Sequence, residues 1–342
     1  MSKYSVPTLT DVAKKAGVST ATVSRCLNTP DHLAKRTRDR VEEAITALGY
    51  TPNFGARMMA SKRTYTIGAI IPTMENAIFA RGIQAFQDEL HRQGYTLLVA
   101  SSSYDPKIEE EQIHTLISRG ADGLLLIGHD RSSEIINYLE AQDIPTLVAW
   151  AHDPNARLPS IGFDNFMAMS CLIKYVLNLG HREIGLISAE TKFNDRARYR
   201  LMAVQQGMIT AGLDPTTIRL IETQYGIETG AVAFDKIIKA PHPPTVIICG
   251  NDVLATGALK KAKSLGMSIP DDISVTGFDD IELAQCVSPK LTTVHVPHRE
   301  MGKQAAQTVI KMVNKEVFEK NKELDIYLKI RQSLSKPKTN IL

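Results

Sequence analysis

Arg25 is the first residue whose type and setting suggest chemistry. It lies in the run Thr20-Ala21-Thr22-Val23-Ser24-Arg25-Cys26-Leu27-Asn28, where Val23 and Leu27 stand at i, i+4 and mark an inward helix face. Thr20, Ala21, Ser24 and Arg25 then fall outward. A guanidinium there can donate two hydrogen bonds to guanine O6 and N7, which reads a base directly. Thr20 and Ala21 are short, suited only to a thymine methyl or a nearby polar edge. Ser24, Thr22 and Asn28 suit phosphate oxygens, which set register without reading sequence. Outside a larger frame, one helix arginine is simply a solvated surface residue, so the reading rests on the elements around it.

Those elements form a frame. Thr8-x-x-Asp11 has the pattern of a capping box opening a helix whose Val12 and Ala16 share a face, and Gly17 ends it. Ser19 can cap the next helix. A third runs from near Lys35 to Leu48, with Val41, Ile45 and Leu48 inward and Gly49 closing it. Helix, glycine-containing turn and helix make a helix-turn-helix unit, whose second helix enters the DNA major groove. Ala34 stands where a Ser or Thr is usual, and the missing cap weakens the third helix by about 1 kcal/mol unless Asp31 or Thr37 substitutes.

Charge follows the same division. Residues 1–64 carry eleven Lys/Arg against five Asp/Glu, whereas the other 278 residues carry 29 against 32. A basic head on a mildly acidic body fits a chain with one end facing a polyanion. With 342 residues, 43% hydrophobic and 23% charged, the chain reads as a globular protein of more than one domain. No apolar run reaches the roughly 18 residues of a membrane span. The start, MSKYSVPTLTDVAKK, lacks the apolar stretch of a signal peptide, so the expected location is cytoplasmic. Cys26, Cys171, Cys249 and Cys286 are far apart, as suits scattered reduced thiols.

From residue 66 onward, short apolar runs alternate with helical patterns. The runs are Thr66–Ile71, Thr96–Ala100, Gly123–Ile127, Pro145–Val148, Glu183–Ile187, Thr245–Cys249, Ile273–Gly277 and Leu291–His295. Phe79, Ile83, Phe86 and Leu90 form one helical stripe; segments 107–119, 132–141, 165–179, 196–211, 252–265 and 298–313 read likewise. Such alternation predicts parallel sheets covered by helices, in two lobes sharing a cleft at the strand carboxyl ends. The expected fold class is therefore α/β: an all-α helix-turn-helix head plus a two-lobed parallel α/β core. Expected boundaries are a head at 1–52, a hinge helix and linker at 53–64, a core at 65–335 and a tail at 336–342.

Catalytic patterns are missing. The chain has no GxSxG elbow, no GxxxxGK[ST] phosphate loop and no HExxH. His295 and His298 are the close histidine pair, but Pro297 between them and a strand on one side disfavour a metal. His181, after Gly180, reads as structural. No cofactor and no metal are expected. The rivals to a DNA-binding regulator are an enzyme acting on a bound sugar and a free-standing binding protein of the transport type. Neither explains a basic helix-turn-helix head.

Thr8–Ser19 (TLTDVAKKAGVS), Thr20–Arg25 (TATVSR) and Leu48–Asn53 (LGYTPN) together resemble the LacI family of bacterial transcription regulators. Ile67-Gly68, Gly180-His181-Arg182, Asn251-Asp252, Ile273–Asp280 and Leu291-Thr292-Thr293 extend the likeness over residues 7 to about 333. The resemblance implies a core like that of periplasmic sugar-binding proteins, ligand-controlled repression or less often activation, a homodimer and a pseudo-palindromic operator of double-stranded DNA; the charged tail after Ile310 shows no sustained leucine heptad, so no tetramerisation module is expected. It implies DNA contacts from Thr8, Ser19, Thr20, Ala21, Thr22, Ser24, Arg25 and Asn28. It also implies a hinge helix contacting DNA through Asn53, Ala56, Arg57, Met59 and Lys62, with Met59 as the apolar minor-groove wedge. For the effector, the matching positions are Asn76, Phe79, Arg200, Tyr225, Asn251 and Asp279, although Asp279 could equally cap the turn before Ile281. Arg200 would grip hydroxyls or a carboxylate; Ala203 replaces the family's usual glycine nearby. Residues 104–112 and 162–166 are similar to gluconate-type regulators within the family, so the expected ligand is a sugar or sugar acid.

Overall fold

The computed structural model describes residues 6–28, 32–51, 63–75 and 77–338. It divides into two compact units, residues 1–64 and 65–342.

In the first unit, α1 (Leu9–Ala16) opens at Thr8. The Asp11 N–H donates to Thr8 Oγ1 at 3.3 Å, and the Thr8 N–H donates back to Asp11 Oδ2 at 2.8 Å. Gly17 ends the helix in the left-handed region at φ 64°. The Ser19 hydroxyl then accepts from the Thr22 N–H at 3.2 Å and starts α2 (Thr20–Asn28). Both local signals act as expected. α3 (Lys35–Leu48) starts at Ala34 without any side-chain cap. Arg40 on α3 donates to the carbonyls of Ala16 and Gly17, satisfying the free end of α1. Val12, Ala16, Val23 and Val41 are buried. Leu27, Ile45 and Leu48 are only half-buried, because Cys26, Ala44 and Tyr50 fill the centre.

The second unit has two lobes. The first holds a parallel sheet in the order β11-β5-β4-β3-β1-β2, from β1 (Thr66–Ile71), β2 (Thr96–Ser101), β3 (Gly123–Ile127), β4 (Thr146–Ala149), β5 (Ser160–Gly162) and β11 (Asn321–Glu323). Its helices are α4 (Ala77–Arg92), α5 (Pro106–Ser118), α6 (Ser133–Ala141) and α12 (His298–Val313). The second lobe holds β7-β6-β8-β9, also parallel, from β6 (Ile184–Ser188), β7 (Arg219–Glu222), β8 (Val246–Cys249) and β9 (Ser274–Thr276). It is covered by α7 (Asn165–Asn178), α8 (Asp195–Thr210), α9 (Ile227–Lys239), α10 (Asp252–Ser264) and the short α11 (Leu283–Cys286). β10 (Thr293–His295) and β12 (Tyr327–Lys329) pair antiparallel. The chain passes between the lobes after β5, after β10 and again before β12.

Packing explains the element types. β1, β3, β4, β6 and β8 are buried along their whole length, as strands covered on both faces must be. The expected stripe of α4 is buried at Phe79, Ile83, Phe86 and Leu90, each such side chain contributing about 1.5–3 kcal/mol. α4 and α12 cross closely, since a Cβ on Gly302 would overlap the Gly82 carbonyl. α9 and strands β5, β7, β11 and β12 were not among the sequence expectations. Gly226 precedes α9 without a side-chain cap and Gly230 interrupts its apolar pattern, and those strands are only three or four residues long. No helix of the described residues is long and apolar enough to cross a membrane.

Candidate functional site

The outward face of α2 is set by what lies under it. Val23 and Cys26 are buried, which leaves Ser19, Thr20, Ala21 and Arg25 exposed and Thr22 and Ser24 half-buried. Thr8 is exposed and engaged in its capping box. Asn53, Ala56, Arg57, Met59 and Lys62 lie outside the described residues, as does the side chain of Asn28.

The second candidate site is the cleft between the lobes, built by loops that leave strand carboxyl ends. Pro72, Thr73, Ser103 and Tyr104 come from the first lobe, and Glu190, Asn194, Gln224 and Tyr225 from the second; together they line a cavity of about 330 Å³. Tyr104 and Tyr225 approach across it, ring centroids 6.3 Å apart. Burial raises the pKa of both hydroxyls, with Asp279, Arg196 and Arg200 close enough to be felt. Asn76 lies outside the described residues.

Arg200 is 7% exposed. Its Nε donates to Asn165 Oδ1 at 3.0 Å and its Nη1 to the Gly250 carbonyl at 2.7 Å. The guanidinium lies 3.6 Å from the centroid of the Phe278 ring, and Asn165 Nδ2 donates to the Trp150 carbonyl at 3.1 Å. Arg200 is thus held rigid by groups from several loops. Ala203 is fully buried in an unbroken α8, so the alanine is accommodated.

Asn251 caps α10, accepting from the Leu254 N–H at 2.9 Å, while its Nδ2 has no partner among the described residues. Asp279 does not cap the turn before Ile281. Asp252 does, accepting from the Ile281 N–H at 2.8 Å and from Thr293 at 2.6 Å. Asp279 is buried with φ at 105°, and burial pushes its pKa up to about 6 against the pull of Arg200 and Arg196. Phe79 lies edge-on to Trp150, centroids 5.5 Å apart, within the aromatic layer instead of on the cavity wall. His295 and His298 turn to different partners: His295 to Asp280 at 2.8 Å, His298 to the Trp150 indole N–H at 3.1 Å. His181 bonds Thr245 and the Ser335 carbonyl, each at 2.8 Å, in a scaffold role.

Sequence reasoning missed the contacts that hold the lobes together. Asp195 Oδ2 accepts from the His129 N–H at 2.6 Å, and Arg198 grips Asp130 with two bonds of 2.6 and 2.8 Å. Asp195 also pairs with Arg196 at 2.9 Å. Burial opposes its charge, yet Arg196 and the His129 N–H hold its pKa below the usual carboxylate range. Gly128 (φ 72°) makes this approach possible, since a Cβ there would overlap Arg196 and Asp195. The run Arg196-Ala197-Arg198-Tyr199-Arg200 carried the signal, but its partners lie more than sixty positions earlier.

A helix-turn-helix unit with an open second-helix face, on one chain with a two-lobed parallel α/β unit and its cleft, defines the class of helix-turn-helix regulators with a periplasmic-binding-like ligand domain. Residues 8–53 match the model for bacterial regulatory proteins of the lacI family, and residues 173–334 match that for a periplasmic binding protein-like domain. The chain is 33% identical over 332 residues to the HTH-type transcriptional repressor CytR of Escherichia coli strain K12, covering 95% of this chain and 96% of that protein. It therefore belongs to the LacI family. Its fold matches a LacI-family transcriptional regulator from Silicibacter pomeroyi at 25% identity, with a TM-score of 0.88 over 96% of this chain and 99% of that one. It also matches the lac repressor dimer bound to operator and the anti-inducer ONPF, at 25% identity with a TM-score of 0.84 over 96% and 99% of the two chains.

Proposed function

We propose that this chain is a ligand-responsive repressor of an operon for a carbohydrate or a derivative such as a sugar acid, acting as a homodimer on a pseudo-palindromic operator. The open face of α2 carries the reading: Thr20, Ala21 and Arg25 stand exposed above buried Val23 and Cys26. In this reading Arg25 contacts a guanine, Thr20 and Ala21 meet neighbouring base edges, and Thr8, Ser19, Thr22, Ser24 and Asn28 hold phosphates. Asn53, Ala56, Arg57, Met59 and Lys62 contact the minor groove. The effector sits between the lobes, with Asn76, Arg200, Tyr225, Asn251 and Asp279 around it and Phe79 behind them against Trp150. It changes operator affinity by the difference in its affinity for the two states of the core. The lac repressor, solved as a dimer on operator, supports the symmetry, since a two-fold dimer reads two half-sites.

Selection from random duplexes by the full-length chain tests this. A pseudo-palindromic sequence should be enriched, and Arg25→Ala should weaken binding to it by about 1–3 kcal/mol while relaxing preference at one base pair. Equal weakening on every duplex would remove the readout role of Arg25, and no enrichment would remove the regulator reading.

A further inference from the structure

The wall of the cavity between the lobes is unbalanced in charge. Its ionised residues are two carboxylates, Glu75 from the loop after β1 and Glu190 from the loop after β6, with no Lys, Arg or His beside them. Both are exposed, and neither forms an ion pair among the described residues. The arginines deeper in the cleft do not offset them. Arg196 pairs with Asp195 at 2.9 Å and Arg198 with Asp130 at 2.6 Å, while Arg200 has buried Asp279 within its field. A sugar acid placed here would bring a third carboxylate to two that have no cation, and like charges sharing a site disfavour each other.

A second observation concerns the rings. Tyr104 from the first lobe and Phe193 and Tyr225 from the second line the same cavity, and the two tyrosine rings stand 6.3 Å apart between centroids. The face of an aromatic ring attracts a cation within about 6 Å of its centroid. Phe193 already shows this, since Lys192 Nζ lies 5.0 Å from the centroid of its ring. Aromatic walls alone would serve any sugar face. Aromatic walls with two carboxylates and no cation select for positive charge, because an ammonium gains from both while a hydroxyl gains nothing from the net charge. Thr73, Ser103, Asn194, Thr223 and Gln224 complete the lining with hydroxyl and amide groups, which suit the hydroxyls of a polar ligand. At about 330 Å³ the cavity stands at the small end of ligand sites, a size for one sugar ring and not a chain of them. Glu75 and Glu190 belong to different lobes, so a cation between them draws on both.

We propose that the cavity between the lobes takes an amino sugar, whose protonated amine is held by Glu75 and Glu190 against the rings of Tyr104, Phe193 and Tyr225. This rests on the cleft being the effector site, and it names a cationic sugar derivative in place of a gluconate-like acid.

Calorimetric titration of the full-length protein at about pH 6.5, where the amine is protonated, tests it. D-glucosamine, D-galactosamine and D-mannosamine are compared with D-glucose, D-galactose, D-mannose, N-acetyl-D-glucosamine and D-gluconate. At least one amino sugar should bind about tenfold or more tightly than its neutral parent and than gluconate. N-acetyl-D-glucosamine keeps the nitrogen without the charge and should lose that advantage. Glu75→Gln and Glu190→Gln preserve size, and each should weaken the amino sugar by about fivefold while leaving the parent sugar and the melting temperature unchanged. The two variants lie on different lobes, so one stands in if the other does not fold. The proposal is overturned by a neutral parent or gluconate that binds as tightly as the amine, by equal amine binding in wild type and both variants, or by no amino sugar binding at ~10 mM. Operator binding measured in parallel separates the readings. An operator complex that forms and responds to a neutral sugar or to gluconate removes this inference and leaves the regulator standing, whereas no operator complex removes the regulator itself.

Discussion

The α2 face and the interlobe cleft carry their chemistry in opposite ways. On α2 the working side chains stand outside a core of small residues, so that Arg25 is exposed while Val23 beneath it is fully buried. In the cleft the working side chains are themselves the interior: Arg200, Asn251 and Asp279 are each less than a tenth exposed, and Arg200 bonds Asn165 and Gly250 from distant loops. An exposed site loosens the tie between binding and stability, because solvent can replace what its side chains leave behind. A buried polar site couples them, because each removal strands a neighbour.

Arg200→Ala tests that coupling most strongly. It leaves the Gly250 carbonyl and Asn165 Oδ1 without their donor and Asp279 without its nearby cation, so the core should lose about 3–5 kcal/mol. Urea unfolding of the full-length protein measures it, and a loss under 1 kcal/mol would break the contrast. Asp279→Asn comes next and depends on pH. The folded-state pKa of Asp279, about 6 against an ordinary 3.8, means its contribution is fully present below about pH 4 and lost as pH rises through 6. Above pH 7 the wild type carries an ionised buried carboxylate, at a cost of at most about 3 kcal/mol. The Asn variant should therefore be the more stable protein at pH 8, with the advantage gone by pH 4. An advantage of equal size at both pH values would assign the effect to packing. On the head, Arg25→Ala should leave stability within about 0.5 kcal/mol, whatever it does to the operator complex. The smallest change is a gain: Ala34→Ser supplies the cap that α3 lacks and should add about 0.5–1 kcal/mol. It would be read as slower amide exchange at Arg36 and Thr37.

The same contrast decides what could be read from residue order alone. Thr8 with Asp11, Gly17 and Ser19 act on groups within a few positions of themselves, so spacing suffices to place them. The longer strands of the first lobe are equally plain, since continuous apolar runs such as Gly123–Ile127 have few other uses, whereas β5 and β11, three residues each, carry no such run. The cleft is different. Asp195 finds His129, Arg198 finds Asp130 and Trp150 finds His298 across 66, 68 and 148 positions, and nothing local marks either member. Arg200, Asn251 and Asp279 were reached through family likeness, which named positions but not partners. The turn before Ile281 shows the limit, because Asp252, not the nearer Asp279, accepts its N–H. His295 and His298 mislead in the other direction: three positions apart, they end a strand and begin a helix, and so look away from each other.

The Asp130–Arg198 pair has a consequence for solution experiments. Its side chains are 29% and 37% exposed, so added electrolyte reaches it and screens it within a Debye length of about 8 Å at physiological ionic strength. The hold of one lobe on the other therefore weakens as potassium chloride rises, independently of the counterions released when basic side chains meet phosphates. Urea unfolding of the full-length protein in rising potassium chloride, with no DNA present, reports the first effect by itself. Arg198→Met should reduce that salt dependence, the remainder coming from other exposed pairs between the lobes such as Arg81–Glu282.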